Sequence, residues 1–124
     1  MSDSCGCSCS GGTKFVFSCS GGADVGGVAD MAARRLTSAG VGKMFCLAGI
    51  GGRVPGIMLS TQAADRILAI DGCALDCAKL CLEQAGFSNF EHLRLSDIGL
   101  HKGKTGITED AIAKVVAEGS KKLA

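Results

Sequence analysis

The chain has 124 residues, the length of one ordinary domain. Hydrophobic residues make up 47%, which excludes a wholly disordered chain. The 13 Lys+Arg against 12 Asp+Glu leave a net charge of +1, and five Phe are the only aromatics, so a basic or base-stacking nucleic-acid surface is not expected. What stands out is 8 Cys and 19 Gly beside a single Pro.

Residues 1–13 are mostly Ser, Gly and Cys, and read as a flexible tail with no apolar face to bury. They hold Cys5, Cys7 and Cys9, an alternating pattern able to bind a soft metal or form a labile disulfide. A single domain is expected over 14–124. The N-terminus lacks a basic region followed by an apolar run, and no stretch reaches the ~18 apolar residues of a membrane span. The expectation is therefore a cytoplasmic protein with reduced thiols.

Phe15-Val16-Phe17 predicts a short buried strand that turns at Cys19-Ser20-Gly21-Gly22. Val25, Val28, Ala29, Ala32 and Leu36 then mark one face of a helix capped by Gly40. Met44–Ala48 predicts a second strand, and Gly49-Ile50-Gly51-Gly52 a loop. Pro55 opens a helix through Ala64. Ile67–Ile70 is the third strand, ending at Asp71-Gly72-Cys73. The helix that follows carries a core stripe of Leu75, Ala78, Leu82 and Ala85 and stops at Gly86. In residues 90–95, Phe90, His92 and Arg94 alternate with Glu91, Leu93 and Leu95, a weaker strand signal. Thr108 caps the last helix, with Ile107 and Ile112 placed for a hydrophobic staple and Glu109 and Asp110 in its first turn.

Strands alternating with helices predict an α/β fold: a small three-layer, doubly wound domain with about four mainly parallel strands. Right-handed crossovers put every strand-to-helix loop on one edge of the sheet, where ligands of such folds bind. Cys19, Cys46, Cys73 and Cys77 all approach that carboxyl edge. Four thiolates suit Zn²⁺, which takes tetrahedral sulfur ligands. An iron–sulfur cluster is the less favoured acceptor of the same set. The competing account is that each cysteine is a small buried hydrophobe, which is the preferred one for Cys81.

Other motifs are weaker. Ser20-Gly21-Gly22 and Gly49-Ile50-Gly51-Gly52 could bind an anion, but neither matches a dinucleotide fingerprint. Gly103-Lys104-Thr105 resembles the end of a phosphate loop, yet position 98 is Ile98 where glycine is required. Asp24 favours a helix start, and Asp30 with Arg34 forms an i,i+4 pair. Asp71 either orients a ligand or caps the next helix.

Phe17-Ser18-Cys19-Ser20-Gly21 with Ala23-Asp24-Val25-Gly26, Cys46-Leu47-Ala48-Gly49-Ile50-Gly51-Gly52, and Ile70-Asp71-Gly72-Cys73 with Cys77 together resemble the DGC-domain family, named for its Asp-Gly-Cys motif. The resemblance spans roughly residues 14–106. It implies a zinc role and four family cysteines at Cys19, Cys46, Cys73 and Cys77. Cys81 and the tail cysteines lie outside the pattern.

The leading expectation is thus a metal-binding protein with zinc on Cys19, Cys46, Cys73 and Cys77. The alternative is a thiol enzyme of redox or sulfur handling, with Cys73 as nucleophile and Cys77 or Cys19 resolving. The partners expected are a metal ion and a small anion or thiol substrate, with neither nucleic acid nor membrane. A third reading is an interaction module presenting the glycine-rich edge to a protein.

Overall fold

The computed structural model describes residues 12–124. Cys5, Cys7 and Cys9 of the expected tail lie outside the described residues. Thr13 already belongs to the fold, since its N–H donates to Asp65 and its carbonyl accepts from the amides of Asp65 and Arg66.

Four strands form one sheet: β1 (Lys14–Ser18), β2 (Lys43–Met44), β3 (Arg66–Asp71) and β4 (Glu91–Arg94). Their order is β2-β1-β3-β4 and every pairing is parallel. The connecting helices are α1 (Asp24–Ser38), α2 (Leu47–Gly51), α3 (Pro55–Gln62) and α4 (Cys77–Gln84), and α5 (Glu109–Leu123) ends the chain.

Strand alternation divides the core in two. Val16, Leu68, Ile70 and Leu93 face α1 and α5, against Val28, Leu36, Ile112 and Val115. Phe15, Phe17, Ile67 and Ala69 face the other way, against Ile50 of α2 and Ala78 and Leu82 of α4. Helices cover both faces of the sheet, which gives the expected three layers. β1 and β3 are buried on both sides, which is why they read as continuous apolar runs.

The topology positions the site. From β1 the chain moves outward to β2 through α1, and from β3 it moves the opposite way to β4 through α4. The switch point lies between β1 and β3, where such sheets place their ligands. Cys19 follows β1 and Cys73 follows β3. The two loops are tied there, since the Cys19 N–H donates to the Ile70 carbonyl at 3.0 Å.

Three sequence expectations need correction. The second strand is only Lys43–Met44, although the Phe45 N–H still bonds the Val16 carbonyl at 2.8 Å. Residues 47–51 are helical rather than a loop. Glycine weakens helices intrinsically, but Ile50 is fully buried and the Cys46 side chain caps the Gly49 amide, so tertiary packing prevails. The helix after Asp71-Gly72-Cys73 begins late, at Cys77. Cys73–Asp76 instead makes a turn, closed by the Asp76 N–H on the Cys73 carbonyl, and Leu75 is 66% exposed rather than in the core.

The last helix begins where expected, with the Thr108 hydroxyl accepting from the Ala111 N–H at 3.2 Å. Ile107 is 58% exposed, and its side chain lies over Gly27 of α1.

Candidate thiol site at the carboxyl edge

Cys19, Cys46, Cys73, Cys77 and Cys81 are all unpaired thiols. They surround two adjoining concavities. The larger, of about 1170 Å³, is lined by Cys19, Cys46, Cys77 and Cys81 among others. The smaller, of about 180 Å³, is lined by Cys19, Cys73 and Cys77. Cys19 and Cys77 therefore border both. The convergence expected from topology holds at the level of the sheet edge. It does not extend to coordination distance: among the described residues the His, Cys, Asp or Glu ligand atoms that gather three or more within 4.8 Å belong to Asp71, Asp76 and His92.

Two sulfurs accept backbone hydrogen bonds. The Gly72 N–H donates to Cys19 Sγ at 3.3 Å, and the Gly49 N–H donates to Cys46 Sγ at 3.4 Å. Amide donors directed at sulfur are the kind of outer contact that orients a metal-ligating side chain. Cys81 differs. It lies half-buried between α4 and α2, its Sγ 3.8 Å from the Leu47 carbonyl it donates to. Burial pushes its pKa up, partly countered by the Arg53 cation and reinforced by Cys77.

The Asp-Gly-Cys loop is held by its own residues. Asp71 is 1% exposed and caps α4 from the end of β3. Its Oδ1 accepts from the Ala78 N–H at 2.7 Å and its Oδ2 from the Lys79 N–H at 3.0 Å. His92 Nε2 lies 2.9 Å from the same Oδ2. Of the two roles considered for Asp71, the structure assigns the cap. Gly72 is needed for close approach, since a Cβ there would lie 2.8 Å from Val25 Cγ2 and 2.9 Å from the Val25 carbonyl carbon.

A second carboxylate is held in the turn just before Cys77. Asp76 receives the Arg94 guanidinium, with Nε donating to Oδ1 at 2.8 Å. That hydrogen bond lowers the Asp76 pKa and makes Arg94 hold its proton more tightly. Sequence reasoning did not find this network. Its one signal was the alternation of residues 90–95, which put His92 and Arg94 on one face of β4. Beside Cys19, the Ser20 hydroxyl donates to Asp30 at 2.8 Å, and the expected Asp30–Arg34 pair is present at 2.7 Å. Ser20, Arg53 and Asp76 are left-handed, with φ of 53°, 56° and 55°.

The segment that resembles a phosphate loop is already filled. The Asp24 carboxylate accepts from the N–H groups of Gly103, Thr105 and Gly106 at 2.8, 3.1 and 3.0 Å, and from Val25 at 2.9 Å. The amides a phosphate would need are bound to a side chain of the protein. These bonds, led by Gly103 and Gly106, lower the Asp24 pKa to about 2. A carboxylate depressed in the folded state adds stability above its unfolded pKa. That contribution is lost as pH falls from about 4 toward 2. Asp24→Asn is expected to raise amide hydrogen exchange at Gly103, Thr105 and Gly106 at neutral pH, and the wild-type protein to show the same change only below about pH 3.

No described helix is long and apolar enough to cross a membrane. Comparison with known proteins gives three findings. The anaerobic and virulence modulator AnvM of Pseudomonas aeruginosa (strain PAO1) is 41% identical over 88 residues, which cover 71% of this chain and 67% of that protein. No solved structure matches the chain. The model of the DGC domain matches residues 15–118, a span that takes in all but the first residue of β1, the whole of β2 to β4, all five described cysteines and most of α5. With Asp71-Gly72-Cys73 at the switch point and the thiols around it, the chain belongs to the DGC-domain family.

Proposed function

We propose that the carboxyl edge binds a soft divalent metal ion, zinc in the first place, through Cys19, Cys46, Cys73 and Cys77. The observation that carries this reading is the pair of amide-to-sulfur hydrogen bonds, Gly72 to Cys19 and Gly49 to Cys46. Backbone donors at two separate loops orient these sulfurs as outer hydrogen bonds orient metal ligands. The donor set also fits: soft thiols, accessible from a cleft, with two of the four exposed. Zinc would sit at ~2.3 Å from each sulfur, so its ligands stand about 3.8 Å apart. Binding therefore requires side-chain rotation, which the exposed Cys46 and Cys77 can supply at little packing cost. When bound, the ion would fix three loops together and, if one sulfur yields, offer an open position to an incoming ligand.

Purification under reducing conditions should yield one zinc per chain. Cys46→Ser and Cys77→Ser should each lower zinc affinity by at least about a hundredfold, more than the loss of an outer hydrogen bond causes. Metal analysis with a parallel free-thiol count checks this. A metal-free protein with one rapidly alkylated thiol near neutral pH would overturn it.

That outcome would favour the second reading, a thiol enzyme of redox or sulfur handling. One observation supports it independently. A cleft of about 1170 Å³ is far larger than an ion needs and suits an organic substrate beside Cys46 and Cys77.

A further inference from the structure

The family cysteines and the cleft cysteines are different sets. Cys73 borders only the smaller concavity. Cys81 borders only the larger, in company with Cys19, Cys46 and Cys77. Cys77 and Cys81 stand four residues apart on α4, so their side chains emerge on one face, one turn apart. The Cys81 sulfur contacts the carbonyl of Leu47, the residue that follows Cys46. It therefore lies beside the start of α2, which Cys46 caps. Two neighbouring elements thus bring the Cys81 sulfur toward two cysteines of the metal site.

We propose that Cys81 is a further ligand of the same ion, completing a set with Cys19, Cys46 and Cys77 from the large cleft when Cys73 is not bound. This rests on the metal reading above. The ion would then have two seats that share Cys19, Cys46 and Cys77, and Cys73 would be free to react or to receive the ion in turn. On binding, the Cys81 S–H bond breaks, the sulfur donates to the metal and the proton passes to solvent. The bond to Leu47 is given up in the same step. Burial holds the Cys81 thiol above its ordinary range, and the Arg53 cation counters this only in part, so the ion itself must draw the proton off.

The test uses the full chain with Cys5, Cys7 and Cys9 changed to serine throughout, so that the tail cannot hold metal. Co²⁺ is titrated and the thiolate-to-cobalt charge-transfer absorption is followed. Cys73→Ser should weaken binding less than about tenfold, whereas Cys73→Ser with Cys81→Ser should weaken it by more than about a hundredfold. Serine keeps a hydroxyl that can donate to the Leu47 carbonyl, and a thermal melt without metal verifies folding. As a second readout in the Cys73→Ser protein alone, bound Co²⁺ should protect Cys81 from alkylation. Equal binding by the single and double variants, unchanged alkylation of Cys81, or complete loss of binding in Cys73→Ser would overturn the role of Cys81 and leave the metal reading standing. No Co²⁺ binding by the unmodified cleft would overturn both.

Discussion

Asp71→Ala should lower stability by about 2–4 kcal/mol, read as a fall in the melting temperature of about 10 °C. The expectation follows from burial and from the partners left behind. The carboxylate is 1% exposed and accepts three hydrogen bonds, two from the first-turn amides of α4 and one from His92. Alanine would leave those amides buried without acceptors, and unmade buried bonds to a charged group cost about 1.5–3 kcal/mol. Loss of a helix N-cap alone costs about 0.5–2 kcal/mol. Asp71→Asn should recover part of the loss, because its amide oxygen can accept one N–H while its NH₂ opposes the other. The effect should reach the thiols too, since Cys73 and Cys77 lie on the turn and helix that Asp71 anchors. Thermal unfolding of the three proteins with metal affinity measured on each checks both parts. A melt unchanged in Asp71→Ala would show that the cap is dispensable.

Gly72→Ala should destabilise by about 1–3 kcal/mol, the usual range for overpacking a tight contact. The added methyl would meet Val25 at 2.8–3.0 Å, and one of the atoms met is backbone. Relief requires α1 to move off β3. The first loop cannot follow freely, because a Cβ at Gly26 would in turn lie 2.3 Å from the Gly21 carbonyl oxygen, so the backbones there are already in contact. Displacement of α1 should also break the Gly72 N–H bond to Cys19 Sγ. The variant is therefore expected to free the Cys19 side chain as well as to lose stability. Denaturant unfolding gives the stability, and amide hydrogen exchange at Gly72, expected to rise, gives the loss of its bond to sulfur. The Asp-Gly-Cys motif thus divides its labour: Asp71 holds the next helix and Gly72 admits the previous one, while Cys73 lies half-buried at the smaller concavity.

The parts of the fold carried by local pattern were legible in the sequence. Phe15–Phe17 and Ile67–Ile70 stood out as short apolar runs because both faces of those strands are buried. The α1 stripe from Val25 to Leu36 was legible because one face of that helix is buried at helical spacing, and the Thr108 cap of α5 because a capping hydroxyl acts within its own turn. The α2 helix was not, because two glycines in five residues oppose a helix locally while the burial of Ile50 and the Cys46 cap come from elsewhere. The late start of α4 was hidden because its cap, Asp71, precedes it by six positions and acts from a strand end. The approach of the cysteines to one edge followed from topology alone. Their division between two concavities did not, since it depends on side-chain direction at each loop. Asp76, His92 and Arg94 join through contacts distant in sequence, and only the alternation in β4 hinted at them.

The left-handed residues have a mechanical consequence. Among the described residues the non-glycine ones at positive φ are Ser20, Arg53 and Asp76. Ser20 follows Cys19, Asp76 precedes Cys77, and Arg53 closes the loop that leaves α2. Each is clamped by a side-chain contact: Ser20 to Asp30, Asp76 to Arg94, and Arg53 to the carbonyls of Ile50 and Gln84. A side chain in that conformation costs about 1–2 kcal/mol. The thiol rim is in this sense under tension, with a few kcal/mol stored in three latches, two of them next to Cys19 and Cys77 and the third past the end of α2. An ion or substrate that drew Cys19 or Cys77 inward would work against the latches or release them. The energy needed to reshape the rim is therefore set by Asp30, Arg94 and the carbonyls that hold Arg53, rather than by the cysteines themselves.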